Sequence, residues 1–203
     1  MKIFFVLIAV ASPLFGADLV SNSSFNGSLS GWVVGSGTTF DGTVDATGTP
    51  GSGSARNAST VLGNNIAVSQ CVAVVPATYT LSGKVLDPAG QTTVGSAEID
   101  VDWFGGANCS GANLGGHSLG TVATGSSFIS LSSLVAAPPG VTSALVSGQN
   151  VSNSGATHIA FFDDIILDGP PSTSVPALGS FALMALTLML AALGVLILRR
   201  DAP

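Results

Sequence analysis

Short segments in which every second residue is apolar recur through the middle of this chain, and they constrain its fold most. Ile99, Val101 and Trp103 share one face of such a segment, as the two-residue period of a β-strand requires. Clusters of glycine, proline and asparagine separate the segments. The segments are 19–20, 32–34, 66–75, 78–86, 93–104, 119–123, 128–136, 141–147 and 158–167. Their number and spacing predict an all-β antiparallel sandwich or barrel with almost no helix.

Two finer predictions rest on the same pattern. Residues 35–65 are rich in Gly, Ser and Thr and show little period, so we expect a long loop that is either functional or poorly ordered. In segment 66–75 the alternation indicates one buried face. That face is expected to carry Ile66, Val68, Val72 and Val74.

An apolar run close to the C-terminus has the length of a membrane span. Only Thr187 interrupts residues 181–198 with a polar group. At about 1.5 Å of rise per residue, a helix over 177–198 reaches roughly 33 Å, the hydrocarbon thickness of a bilayer. We therefore expect one transmembrane helix at about 177–198, whose closing arginines stay in the cytoplasm while the preceding domain lies outside. A buried core helix would need a surrounding domain, and none follows in this sequence.

The first 17 residues have the layout of a secretory signal peptide. Lys2 supplies a positive start, residues 3–11 are apolar but too short to span, and small residues follow at 16–17. We expect cleavage by signal peptidase after Gly16 or Ala17. An uncleaved anchor is the alternative, because Leu14 or Phe15 would occupy a position where a small residue is preferred. In both cases the export machinery carries the domain out of the cytoplasm.

A short motif precedes the C-terminal run, and an arginine pair closes it. The residues are Val175, Pro176, Ala177, Leu178, Arg199 and Arg200. Together they resemble the sorting signals of the PEP-CTERM type, in particular the IPTL-CTERM variant. Ala177 stands where the PEP version has Glu, and residues 201–203 extend past the arginines. The resemblance implies a Gram-negative bacterium, an exosortase-like sorting peptidase as partner of residues 175–203, and delivery from the inner membrane to the cell surface or extracellular matrix.

The residues between the two apolar ends are acidic. Arg56 and Lys84 are their only basic residues other than histidine, whereas Asp and Glu together number ten in residues 18–174. Such a surface repels phosphate backbones, so we exclude nucleic acid as a partner. It is compatible with a soluble exported domain and with cation binding.

Cys71 and Cys109 are the only cysteines. In an exported domain, an even pair predicts a disulfide. A zinc site is not supported, since two cysteines without neighbouring histidines do not make one.

Three short motifs resemble the galactose-binding-like jelly rolls, especially carbohydrate-binding modules of the family 4/9 type. They are the opening residues 19–32, the segment pair 70–72 and 78–83, and the closing Phe-Phe-Asp-Asp-Ile-Ile-Leu of residues 161–167. The resemblance implies a jelly-roll sandwich over residues 18–169 and a carbohydrate ligand. Residues 170–174, rich in Pro and Ser, would then form a linker.

The same resemblance implies a structural calcium ion, for which oxygen ligands are suitable. Carried over, the ligands would be Asp163 or Asp164 with Asn26 and backbone carbonyls near Ser24. Asn26 replaces the family's acid and removes one negative charge. Adjacent strand residues point to opposite faces, so one of the two aspartates should face inward. The alternative to calcium is an inward aspartate satisfied by backbone amides.

Glu98, Asp100 and Asp102 alternate with apolar residues and therefore project from one face, about 6.6 Å apart per step. Two interpretations stay open: a solvated outer face, or carboxylates that hydrogen-bond a sugar beside an aromatic ring. Trp32 and Trp103 likewise fit either the core or a sugar platform, with the core favoured. The ligand-binding residues are not assigned by this pattern.

The sequence contains no recognisable catalytic motif, such as G-x-S-x-G, H-E-x-x-H or C-x-x-C. His117 and His158 are far apart in sequence, and nothing pairs either with a nucleophile. We therefore expect an exported, surface-anchored, non-enzymatic jelly-roll protein that binds carbohydrate or the extracellular polysaccharide matrix. The alternative is a purely structural surface protein without a specific ligand.

Overall fold

The computed structural model of the protein describes residues 16–121 and 123–169, and these residues form a β-sandwich. A single short 3-10 turn, Ala107–Cys109, is the helical element of this part. The strands are β1 Val33–Val34, β2 Thr38–Asp41, β3 Ser54–Ser59, β4 Gly63–Ala73, β5 Thr78–Pro88, β6 Gly95–Gly106, β7 Ser110–Thr121, β8 Thr124–Gly125, β9 Ile129–Ala136, β10 Ser143–Ser152 and β11 His158–Asp168. The predicted all-β architecture is confirmed.

The predictions made for the two ends of the chain fall almost entirely on residues 1–15 and 170–203, which lie outside the described residues. The signal peptide, the linker, the sorting signal and its transmembrane helix therefore stay predictions. Within residues 16–121 and 123–169, no helix combines the length and the apolar character that crossing a membrane requires.

Two sheets make up the sandwich. The first has the strand order β1-β4-β10-β6-β7, with antiparallel neighbours throughout. The second has the order β2-β3-β11-β5, and both β8 and β9 pair with β5. The chain changes sheet between β1 and β2, at each step from β3 to β6, between β7 and β8, and at each step from β9 to β11, as in a jelly roll.

The core lies between the sheets and is filled by alternate strand residues. Ile99, Val101 and Trp103 of β6 are buried, as their period predicts. Gly148 of β10 permits close packing, since a Cβ atom there would lie 2.9 Å from the Phe162 ring. Trp32 also belongs to this core, so the core interpretation of both tryptophans is confirmed.

The expectation for Ile66 is wrong. It is 41% exposed, whereas the rest of its predicted face is buried at Val68, Val72 and Val74. The cause is a register shift: β4 passes from Val68, opposite Gly148, to Ile66, opposite Gln149, so that one residue has no partner. A bulge of this kind turns the following side chains to the other face.

The prediction of one long loop over residues 35–65 is also wrong. Strands β2 and β3 lie inside it, and β4 begins at its end. Strand β3 reads Ser-Ala-Arg-Asn-Ala-Ser, which has no apolar period, yet it pairs with β2 on one side and β11 on the other. Its conformation depends on these neighbours rather than on its own sequence.

Candidate functional site

The outer face of the first sheet carries a patch of polar side chains from β6, β10 and β7. Asp100 lies opposite Ser147 on β10 and Ser118 on β7, and Glu98 lies opposite Gln149. Residues directly opposite in an antiparallel pair project to the same side. The predicted common face of Glu98, Asp100 and Asp102 therefore looks away from the core, and side chains of the two neighbouring strands extend it.

A groove of about 340 Å³ lies on this face. We call it the acidic groove; its lining residues are Asn64, Asp100, Val101, Asp102, Gly116, His117, Ser118 and Gln149. Glycines on β7 make room for the acids. A Cβ atom at Gly116 would lie 2.6 Å from Asp102 Oδ1, and one at Gly120 would lie 2.9 Å from Glu98 Cγ. The acidic side chains can therefore extend across β7.

The protein compensates the negative charges of Glu98, Asp100 and Asp102 to different degrees. Glu98 accepts hydrogen bonds from the hydroxyls of Ser96, at 2.8 Å, and Ser118, at 2.9 Å. Asp102 is partly exposed and receives one long contact of 3.5 Å from Asn113 Nδ2. Asp100 is only 8% exposed, and its Oδ1 atom is buried without a hydrogen-bond partner. Asp100 is thus the least compensated acid of the row.

Burial raises the pKa of Asp100 to about 6, and the neighbouring charges of Glu98 and Asp102 add to this rise. The Ser118 hydroxyl and His117 act in the opposite direction without cancelling it. A raised pKa means that the folded protein penalises the ionised form. A positively charged or hydrogen-bond-donating group placed in the groove would relieve this penalty.

Among the residues that the structure describes, the two Lys and Arg side chains both belong to the second sheet. Arg56 lies on β3 and Lys84 on β5. His117 is the one basic side chain in the lining of the acidic groove. The groove therefore presents a negative field to an incoming ligand.

The disulfide between Cys71 and Cys109 is confirmed, with Cα atoms 5.9 Å apart. Cys71 lies on β4 opposite Leu145, which in turn lies opposite Asp102. Cys109 ends the 3-10 turn between β6 and β7, and its backbone N–H donates to Ser143 Oγ at 2.9 Å. The disulfide thus fastens the β6–β7 turn to β4, across the sheet that carries the acidic groove.

The closing-strand aspartates lie on β11, in the second sheet. Asp163 is fully buried, and it accepts hydrogen bonds from the backbone N–H groups of Ala46, at 2.9 Å, and Asp164, at 2.8 Å. Burial raises its pKa to about 7, while these two amides act to lower it. The inward aspartate is thus satisfied by backbone amides, which is the arrangement that the sequence left as the alternative to calcium.

Asp164 has a positive φ of 47° at the bulge of β11. Its carboxylate accepts a hydrogen bond of 2.7 Å from Ser24 Oγ and lies 2.8 Å from Lys84 Nζ. Asn26 is exposed. In residues 16–121 and 123–169, no group of three or more His, Cys, Asp or Glu side chains is arranged to hold a metal ion. Lys84 supplies the positive charge at Asp164, and the calcium site stays a prediction.

The structure also contains a buried polar cluster that sequence reasoning did not find. His158 and Asp87 are both buried, with His158 Nε2 3.3 Å from Asp87 Oδ1, and His158 Nδ1 contacts Asn150 Oδ1 at 2.5 Å. Asn150 Nδ2 donates to Asn57 Oδ1 at 2.8 Å, which joins the two sheets. Burial raises the pKa of Asp87. These residues lie on four different strands without a common motif, so only the fold brings them together.

Neither a family model nor a curated protein sequence matches this chain. Solved structures do match the sandwich. The CBM22-1 xylan-binding domain from Paenibacillus barcinonensis has a TM-score of 0.54 at 17% identity, over 78% of this chain and 97% of that one. TmCBM61, solved with beta-1,4-galactotriose, has a TM-score of 0.52 at 13% identity, over 76% of this chain and 99% of that one.

A third match is the enzymatically active domain of Bacteriophage CBA120 tailspike protein 4, with a TM-score of 0.56 at 15% identity. The alignment covers 75% of this chain but only 21% of the tailspike domain. At these identities the likeness establishes the fold. The described part of the chain is a jelly-roll β-sandwich of the kind found in carbohydrate-binding modules.

Proposed function

We propose that the sandwich is a non-enzymatic carbohydrate-binding module and that it holds a polysaccharide in the acidic groove. The observation that carries this proposal is the groove itself, which collects carboxylate, amide and hydroxyl groups on one outer sheet face. Binding sites recognise sugars through polar groups that are held in fixed positions. Similarity of the fold to the CBM22-1 xylan-binding domain and to TmCBM61, solved with beta-1,4-galactotriose, supports the same class of ligand.

Binding in this groove would depend on hydrogen bonds more than on stacking. Trp32, Tyr79 and Trp103 are buried, and the lining of the acidic groove contains no Phe, Tyr or Trp side chain, although the half-buried Phe104 follows Asp102 on the same strand. Asp102, Gln149 and Ser118 offer hydrogen-bond acceptors and donors instead. Sugar hydroxyls can both donate and accept, so a row of this composition is suited to them.

We infer that the module is exported and anchored at the cell surface of a Gram-negative bacterium. Support comes from the signal-peptide pattern at 1–17, the sorting-signal resemblance at 175–203 and the disulfide, which is typical of an oxidising compartment. Its partners would then be signal peptidase, an exosortase-like peptidase and the polysaccharide of the surface matrix.

The test is retention of the full chain, purified in detergent, on a glycan array and on polysaccharide from the producing cells. We expect binding to at least one glycan and at least a tenfold loss in the double variant Asp102→Asn, Gln149→Ala. The matched control is Asp41→Asn, which removes one charge from β2 of the second sheet. Absence of retention on every glycan would contradict the proposal and favour the structural surface protein without a ligand.

A further inference from the structure

The acidic groove contains more negative charge than sugar hydroxyls require. Glu98, Asp100 and Asp102 project from one strand, and neither Lys84 nor Arg56 shares their sheet. Gly116 and Gly120 lie opposite Asp102 and Glu98 on β7 and place no side chain over these two acids. This surplus of charge bears on which class of sugar the groove binds, and not only on whether it binds one.

Asp100 supplies an observation independent of the clustering. The residue is 8% exposed, it lines the groove, and its Oδ1 atom has no hydrogen-bond partner. A buried carboxylate normally has its hydrogen bonds satisfied within the protein, as those of Asp163 are. The protein places no donor against Oδ1 of Asp100, and the residue lines the groove, so a ligand that contacts this carboxylate is a further source of compensation besides the Ser118 hydroxyl and water.

We infer that the ligand is a polysaccharide with free amino groups, whose ammonium ions lie against Asp100 and Asp102; this inference rests on the carbohydrate-binding function proposed above. An ammonium group offers three donors and no acceptor. The groove lining supplies matching acceptors in both carboxylates and in Gln149, whose Nε2 donates to Ser147 Oγ and leaves its carbonyl oxygen free.

The charge also argues against the opposite class of ligand. A polysaccharide of uronic acids would bring carboxylates against a groove that has no Lys or Arg in its lining. Like charges at such a contact repel, and burial strengthens the repulsion. Neutral polysaccharides would donate hydrogen bonds from their hydroxyls to Asp100 but would bring no positive charge to it.

A divalent cation is the competing source of positive charge. Calcium takes six to eight oxygen ligands at about 2.3–2.6 Å. Carboxylates two residues apart on a strand are spaced by about 6.6 Å, and the described residues contain no group of three or more arranged for a metal. An amine needs only one carboxylate and its neighbours, which is the geometry present.

The test compares two forms of one oligosaccharide preparation that differ in charge: short, water-soluble chitosan oligosaccharides, and the same preparation after complete re-N-acetylation. The full chain in detergent is titrated with each, with polygalacturonate as the anionic probe. We expect chitosan to bind at least tenfold more tightly than its re-acetylated form, with polygalacturonate weakest. Added salt should narrow the difference, since it screens the charges.

Variants separate the groove from the net charge of the protein, because any acidic protein attracts a cationic polymer. Asp100→Asn and Asp102→Asn should reduce the preference for chitosan about tenfold together. Asp41→Asn makes the same chemical change on the second sheet and should leave the preference unaltered. A preference that falls equally in Asp41→Asn would overturn the inference. Because Asp100→Asn is isosteric and removes a buried charge, its thermal midpoint serves as the check on folding.

The remaining outcomes are also decisive. Equal binding of both chitosan forms, or tightest binding of polygalacturonate, overturns the inference while the carbohydrate-binding function stands. Chitosan binding that is abolished by a chelator and restored by calcium overturns it in favour of a metal-bridged ligand. No binding of any polymer, including those of the glycan array, contradicts the proposed function itself.

Discussion

Two sets of carboxylates in this sandwich show how the same residue type serves different ends. On β11, Asp163 is compensated by two backbone amides and Asp164 by Lys84 and Ser24. On β6, Asp100 is buried in the acidic groove with an oxygen that has no partner. The first set has its hydrogen bonds completed within the protein, although burial still raises the pKa of Asp163 to about 7, above the value of about 6 at Asp100. In the second set Asp100 has an oxygen atom without a partner in the protein, and we propose that a ligand compensates this carboxylate.

The disulfide lies next to the groove and gives the largest expected effect. Replacing Cys71 and Cys109 by Ala frees a loop with a sequence separation of 38. On the chain-entropy model this should lower the free energy of unfolding by about 4 kcal/mol. It should also weaken glycan binding, because the β6–β7 turn loses its attachment. Urea denaturation and the glycan titration measure the two effects; unchanged binding in the folded variant would separate the disulfide from the groove.

Truncating the two buried aspartates tests the comparison directly. Asp163→Ala leaves the N–H groups of Ala46 and Asp164 without their acceptor, which should cost about 3 kcal/mol of unfolding free energy. Asp100→Ala removes a charge that burial penalises, so it should cost less stability than Asp163→Ala. Glycan binding should fall more in Asp100→Ala than in Asp163→Ala. Equal losses of stability in the two variants would contradict the distinction between these two aspartates.

The pH dependence of stability follows from the raised pKa of Asp100, about 6 in the folded protein against an ordinary 3.8. Between these values the folded state binds more protons than the unfolded state, so stability should fall as pH rises from 4 to 6. Asp100→Asn should remove a fall on the order of 1–2 kcal/mol. Thermal midpoints of both proteins across this range measure it, and parallel curves would contradict the uncompensated state of Asp100.

Lys84 tests the compensation on β11 with a smaller effect. Its ion pair with Asp164 is partly exposed, so Lys84→Met should lower the free energy of unfolding by about 1 kcal/mol.

A thermal melt in calcium and in chelator tests the same compensation. If the protein itself compensates both aspartates, the thermal midpoint should be the same in the two conditions. A rise of several degrees in calcium would instead support the predicted site at Asn26, Asp163 and Asp164.

Sequence alone predicted the sandwich, the disulfide and the common face of the three β6 acids, because each follows from a local period or a count. It missed β3, whose small polar residues are held by ladders to β2 and β11. It also placed Ile66 on the wrong face of β4, because the alternation of apolar residues does not reveal a bulge. The sequence also did not predict the uncompensated carboxylate of Asp100, because compensation of a charge depends on which distant groups the fold brings near it.

Ligand contact with the acidic groove can be mapped residue by residue. Backbone amide chemical shifts of the protein, titrated with an oligosaccharide of the tightest-binding glycan, measure it most directly. We predict the largest changes at Asp100, Asp102, Ser118 and Gln149, with little change on the second sheet. Changes centred instead on Lys84, Ser130 and Ser132, which line a groove on the outer face of the second sheet, would contradict the assignment.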